Sequence, residues 1–282
     1  MRIPMYQVDA FASRLFTGNP AAVCPLDRWL DDATMQAIAA ENNLAETAFY
    51  VPAGKDRFGL RWFTPLVEVD LCGHATLGTA HVIFEIRREV TGNAVAFDSK
   101  SGELRVAREG DLLALDFPSR PPAACDVDAR LVDALGAPPA KIIGARDYLC
   151  VYETEAQVRA LAPNMDMLAQ VDRFAVIATA PGNDCDFVSR FFAPSKGVPE
   201  DPVTGSAHTT LIPYWAERLG KTKLHARQLS KRGGELWCEL RGDRVKIAGR
   251  ALQYLEGSIE IGTNYPDAAT AGASNFETVG RC

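Results

Sequence analysis

Apolar and polar positions alternate along the chain in short runs, broken often by glycine and proline. That pattern predicts many short strands and few helices. Ile3 to Phe11 reads as a strand entering a turn at Thr17-Gly18-Asn19-Pro20. Asp31 or Asp32 can cap a helix that carries Met35, Ile38 and Ala39 inward and ends near Asn42-Asn43. Strands are expected at Glu46 to Val51, bounded by Pro52-Ala53-Gly54, and at Phe58 to Phe63. After Cys72-Gly73-His74, the apolar residues Leu77, Ala80, Ile83 and Phe84 take helical spacing, with Arg87 at its end. Three more strands are predicted at Ala94 to Asp98, Glu103 to Ala107 and Leu112 to Phe117.

Pro118-Ser119-Arg120-Pro121-Pro122 then interrupts the pattern. Neither a helix nor a central strand tolerates it, so the chain is expected to divide into halves at residues 1–120 and 121–282. In the second half, helices are predicted near Ala129 to Leu135, at Glu155 to Leu161 and at Ser206 to Leu219. Gly220 stops the last helix, and Pro213 is expected to kink it. Strands are predicted at Lys141 to Ile143, Tyr148 to Tyr152, Phe174 to Thr179 and Asp186 to Phe192, and the remainder reads as strand-rich through Ile261. The polar, small-residue tail after Pro266 reads as loose.

The two halves echo one another. Arg61-Trp62-Phe63-Thr64-Pro65 resembles Arg190-Phe191-Phe192-Ala193-Pro194, and the stretch from Val69 to Ala75 resembles that from Glu200 to Ala207. Each copy runs from a strand through an acidic, glycine-containing loop into a helix. A duplication predicts two pseudo-symmetric halves, with Arg61 and Arg190 at equivalent places and both glycine loops facing a shared cleft.

The bulk numbers narrow the function. Apolar residues make up 47% of the 282 residues and charged ones 23%, values of a globular protein able to bury a core. A net charge of −6 without a basic stripe argues against a nucleic-acid partner. No apolar run approaches the roughly 20 residues of a membrane helix, and the first ten residues lack signal-peptide features. Seven widely spaced cysteines without a C-x-x-C argue against a disulfide framework or structural zinc, and cytoplasmic placement is the expectation. Phosphate loops, dinucleotide fingerprints and nucleophile elbows are missing. His74 with His81, or His208 alone, makes no metal set, so no metal is expected.

The candidate chemistry gathers around the two glycine loops. Gly73 and Gly205 each open a helix whose free N–H groups attract an anion, or else simply permit a turn. Glu46 stands in an otherwise apolar strand entry, either solvated at its edge or held in a pocket where it can carry a proton. Asp201, beside Glu200, is a second acid/base candidate or a turn brace. His74 can donate to a substrate or bridge to a carboxylate. Cys72 at a helix start can act as a thiolate, but the partner loop offers Val203-Thr204, so a two-cysteine racemase pair is incomplete.

Taken together, these segments resemble the PhzF-like family of phenazine biosynthesis, relatives of diaminopimelate epimerase. The likeness rests on Val8-Asp9-Ala10-Phe11, on Gly18 to Val23, on Asn42 to Val51 with Glu46, on Arg61 to Gly78, and on Glu200 to His208. It implies an α+β fold of two pseudo-symmetric halves, each a curled mixed sheet around a central helix. It further implies a cofactor-free isomerase similar to trans-2,3-dihydro-3-hydroxyanthranilate isomerase, acting on a small anionic molecule as a homodimer. By the same likeness Glu46, His74 and Asp201 are the catalytic residues, and Cys72, Gly73, Thr204, Gly205 and Ser206 line the substrate pocket. Two further readings stay open: an amino-acid epimerase using Cys72 with a carboxylate, and a non-catalytic binder of the same fold.

Overall fold

A computed structural model describes residues 1–262. The first half lays down β1 (Arg2–Ala10), β2 (Asn19–Pro25), α1 (Asp32–Asn42), β3 (Glu46–Gly54), β4 (Arg57–Phe63), a short β5 (Glu68–Val69), α2 (Gly73–His81), β6 (Ala94–Ser99), β7 (Gly102–Glu109) and β8 (Leu112–Pro118). The second adds α3 (Leu131–Leu135), β9 (Lys141–Gly144), β10 (Tyr148–Val151), α4 (Glu155–Ala160), α5 (Met165–Leu168), β11 (Val176–Pro181), β12 (Phe187–Phe192), α6 (Gly205–Leu219), β13 (Lys223–Gln228), β14 (Gly234–Arg241), β15 (Arg244–Gly249) and β16 (Ala251–Glu260).

The strands pair in the order β16-β1-β2-β3-β4-β6-β7-β8-β15-β14-β13-β12-β11-β10-β9. Reading inward from β1 and from β9, the same sequence of senses recurs: antiparallel, parallel, antiparallel, parallel, antiparallel, antiparallel. The two half-sheets meet edge to edge at β8 and β15. The chain's last described strand, β16, crosses back to pair with β1.

Each half-sheet curls around one helix. Helix α2 packs on β1, β2, β3, β7, β8 and β16, strands from across its half-sheet, and His74 through Ala80 are all buried. Its small residues allow this close wrapping: a Cβ on Gly78 would sit 3.6 Å from that of Val8. A helix surrounded on all sides has no polar face to present, so α2 carries no outward stripe. One π turn, Val82–Ile86, extends it, and Arg87 beyond is exposed rather than part of the inward face. Helix α6 plays the same part against β13, β14 and β15. It runs through Pro213 unbroken and closes on Gly220, whose φ of 65° favours glycine. Trp215 anchors it, fully buried, with its indole N–H donating to Thr179 Oγ1 at 2.9 Å.

The outer faces are covered differently. In the first half α1 lies over β3 and β4 through Met35, Ile38 and Ala39. It starts where Asp31 caps the Thr34 amide and ends at left-handed Asn43. In the second half α3, α4 and α5 share that task. Strand β11 starts at Val176, later than the apolar pattern implied, because Phe174 stays outside the sheet with 41% exposure. Likewise Asn19 and Pro20 belong to β2 rather than to the preceding turn. The tail after Pro266 lies outside the described residues.

The echoed segments stand at matching ladder positions. Cys24, Phe49 and Arg61 form one rung across β2, β3 and β4, and Cys150, Ala178 and Arg190 form its counterpart across β10, β11 and β12. Arg61 makes a two-pronged pair with Glu68, at 2.7 and 2.8 Å, and stacks over Phe63. Arg190 pairs with Glu200 at 2.7 and 3.0 Å and stacks over Phe192. Glu200 is thereby committed to bracing its loop.

Candidate active site

Helices α2 and α6 meet at their N-termini. A Cβ built on Gly73 would lie 3.8 Å from the Gly205 Cα, and one built on Gly205 would lie 3.7 Å from the Gly73 Cα. Side chains at these positions would fill the space where the helix ends meet. The preceding residues, Cys72 and Thr204, are both extended and make no side-chain cap, so first-turn amides at both ends lack intrahelical acceptors. Two converging helix ends of this kind attract a carboxylate.

Glu46 opens β3, and its side chain is 18% exposed, so it is largely shielded from water rather than solvated at the strand edge. Its Oε2 lies 3.0 Å from His74 Nε2, an ion-pair distance, yet that oxygen is buried without an aligned hydrogen bond. His74 is held on its other side. Its Nδ1 is 3.5 Å from Cys72 Sγ and 3.2 Å from the Asn19 amide nitrogen. Asn19 Nδ2 donates to Asp201 Oδ1 and to the Val203 carbonyl, each at 2.9 Å, tying the first half to the second loop. Thr204 Oγ1 closes the cluster by donating to Asp201 Oδ2. Gln228 accepts from the Thr204 amide at 2.9 Å and donates to the Asp201 carbonyl at 2.8 Å, fixing the loop.

Electrostatics follow from this packing. Burial pushes the Asp201 carboxyl up to about 6, against the opposing pull of His74 and the hydrogen bonds from Thr204 and Asn19. Burial alone would lower His74, but the neighbouring Cys72 and Glu46 more than offset it and hold the imidazole well above its ordinary value. The Cys72 thiol is raised, first by burial and then by the Glu46 charge. His208, lowered to about 4 by burial, is a core residue whose Nδ1 faces the Thr204 carbonyl at 2.8 Å.

The structure therefore gathers Glu46, Cys72, His74, Asp201 and Thr204 into one cluster beside Gly73 and Gly205. Ser206 stands at its margin, accepting from Arg146 at 3.3 Å. Arg146 is fixed by a two-pronged pair with buried Asp147 and stacks on Phe174. Sequence reasoning missed Asn19 and Arg146. Asn19 had a signal, a turn-forming residue type at the start of strand β2, but nothing local pointed it at Asp201.

The pseudo-symmetry makes the cluster lopsided. Counting the same distance back along the chain from the matched rung, Ala175, just before β11, stands where Glu46 stands in the other half. At the helix starts Thr204 matches Cys72, and Ser206 matches His74. Both acid/base side chains that touch one another thus come from the first half.

The fold is that of the diaminopimelate-epimerase-like class, two curled half-sheets around central helices with a site where those helices meet. The chain belongs to the family described as Phenazine biosynthesis-like protein, whose profile matches residues 8–257. It is 54% identical over 262 residues to a Pseudomonas aeruginosa protein named as an uncharacterized isomerase, covering 93% of this chain and all of that one. A crystal structure of a phenazine biosynthesis protein of the PhzF family from Enterococcus faecalis superposes with a TM-score of 0.90. It is 45% identical and covers 93% of this chain and all of its own. A more distant neighbour, a Pseudomonas aeruginosa protein described as a predicted epimerase, shares the fold with a TM-score of 0.71 and 20% identity, over 92% of this chain and all of that one. These relatives support, at the level of the family, an isomerase. Among the described residues no helix is long and apolar enough to cross a membrane.

Proposed function

We propose that this protein is a cofactor-independent isomerase that moves a proton on a small carboxylate substrate, with Glu46 as general acid/base. The observation that carries this reading is Glu46 Oε2: a buried carboxylate oxygen without an aligned hydrogen bond, beside two converging helix ends. An unsatisfied buried oxygen is destabilising, and a substrate C–H or O–H placed against it relieves that penalty while offering the proton to be moved. The substrate carboxylate takes the first-turn amides of α2 and α6, with Gly73 and Gly205 permitting close approach. Thr204 and Cys72 wall the pocket. Ser206 and Arg146 meet the substrate's outer edge, where the Arg146 charge favours an anion. His74 orients Glu46 and offsets its charge. Asp201, near 6 and linked to His74 through Asn19, serves as the second group able to give or take a proton near neutral pH.

The reaction type is similar to that of trans-2,3-dihydro-3-hydroxyanthranilate isomerase. Three observations weigh against a two-base epimerase: Thr204 replaces a second cysteine, Ala175 replaces a second glutamate, and burial raises the Cys72 thiol instead of favouring a thiolate. A purely non-catalytic binder gives no account of a buried carboxylate oxygen left without an aligned hydrogen bond. A homodimer, a cytoplasmic location and a division into halves at residues 1–120 and 121–282 belong to the same proposal. The test is incubation with a library of small carboxylates in D2O, followed by mass spectrometry. Enzyme-dependent deuterium at a carbon of one compound supports the reading, and its absence across compounds that bind the protein counts against it.

A further inference from the structure

Glu46, Cys72 and His74 present one ligand atom each, an oxygen, a sulfur and a nitrogen, all within 4.8 Å of one another. His74 Nε2 is 3.0 Å from Glu46 Oε2 and 4.0 Å from Cys72 Sγ. In a tetrahedral zinc site, bond lengths of about 2.0–2.3 Å set ligand-to-ligand separations of roughly 3.3–3.7 Å. The cluster brackets those edges, so sub-ångström adjustments of His74 and a somewhat larger one between Cys72 and Glu46 would close it on an ion. We infer that Glu46, Cys72 and His74 form a reversible zinc-binding site, in which the metal occupies the proton-moving groups and switches the enzyme off.

Chemistry and charge both favour this occupant. Zinc accepts thiolate, imidazole and carboxylate together, and three protein ligands leave the fourth position to water or an exchangeable anion. A divalent ion with one thiolate and one carboxylate makes a neutral set, which a buried site accommodates far better than a net charge. The oxygen needed from Glu46 is the one that lacks an aligned hydrogen bond. On binding, the hydrated ion exchanges waters for the three protein ligands, and the Cys72 thiol and the His74 imidazolium each lose a proton to solvent; no electron changes hands. Affinity should therefore rise with pH.

Sequence reasoning considered His74 with His81, or His208 alone, and found no metal set; the ligands that the fold brings to His74 are Glu46 and Cys72. The zinc reading rests on the proposed function only for its inhibitory consequence, because binding is measured without substrate.

The experiment titrates the full-length, chelator-stripped protein with Zn2+ by calorimetry, and with Co2+ by absorption. Expected are one ion per chain and a thiolate-to-cobalt charge-transfer band in the near ultraviolet. Cys72→Ser should lose that band and weaken binding by at least about 100-fold, beyond the 10–100-fold typical of losing only an outer-shell partner. His74→Gln, which removes the nitrogen donor while keeping polarity, should weaken binding comparably. Cys185→Ser, at a half-buried thiol outside the cluster, should change neither. Absence of stoichiometric binding, or a cobalt band that survives in Cys72→Ser, overturns the site. Neither result touches the proton-transfer reading. With the substrate in hand, zinc should abolish turnover and a chelator should restore it; full turnover by the zinc-loaded protein overturns the switch.

Discussion

Asp201 offers a test that needs no substrate. Its carboxyl is pushed from an ordinary 3.8 to about 6 in the folded protein. Between those values the native state holds a proton that the unfolded chain has released. Stability therefore falls as pH rises through that window, and the contribution of protonated Asp201 is complete only below the unfolded value. A displacement of about two pH units corresponds to at most roughly 3 kcal/mol at about 1.4 kcal/mol per unit. Asp201 is only partly shielded from water, so a screened value of about 1–2 kcal/mol is the working figure. Asp201→Asn keeps the shape and cannot titrate. Its stability relative to wild type should improve by that amount between pH 4 and pH 7, a shift of about 2–6 °C in Tm difference for a chain of this size. The assay is thermal unfolding of both proteins at closely spaced pH values. Parallel Tm curves across the window would show that Asp201 is solvated and ordinary, and would remove it from the proton-handling set.

Three further outcomes follow from the same geometry. Cys72→Ser should retain at least about a tenth of the wild-type rate, since a pocket wall tolerates a near-isosteric change; a 100-fold loss typical of an acid/base group, measured in the exchange assay, would favour the epimerase reading. Gly205→Ala should fold with nearly wild-type Tm, because its Cβ meets only ordinary contact at 3.7 Å, yet weaken binding of a carboxylate ligand at least about tenfold by blocking the helix end; unchanged affinity by calorimetry would mean the anion binds elsewhere. Arg146→Gln should raise KM several-fold with little change in kcat, as expected for a rim charge that steers and holds an anion, and steady-state kinetics at two salt concentrations would expose a purely structural role.

Much of this architecture was legible in the sequence because short-range rules dominate it. Asp31 and Asn43 cap α1, Gly220 ends α6, and alternating burial marks β6, β7 and β8, all near the predicted positions. The duplicated Arg-aromatic segment foretold the matched rungs at Arg61 and Arg190, because each arginine needs its own acidic partner ten or fewer residues on. What local rules could not carry was contact between residues far apart in sequence. Asn19 meets Asp201 through a link of 182 residues, and Arg146 reaches Ser206 across 60. The boundary of β11 also escaped, since Phe174 is apolar but spends itself as a platform for Arg146 and Lys196. The pairing of β16 with β1 joins the two ends of the described chain, which no local pattern encodes. Glu46 itself was ambiguous on sequence, and only the packing of His74 against it resolved pocket from edge.

The central claim is that Glu46 carries the proton, and one variant addresses it directly. Glu46→Gln preserves volume and can still contact His74 Nε2, but it cannot exchange a proton at working pH. Once the library assay has identified a substrate, wild type and Glu46→Gln are compared for turnover and for deuterium incorporation in D2O, with circular dichroism and Tm confirming the fold of each. The account predicts an intact fold and losses of about 100-fold or more in both rates, the scale of a missing general acid/base. Near-normal turnover with near-normal exchange in a folded Glu46→Gln protein would contradict it.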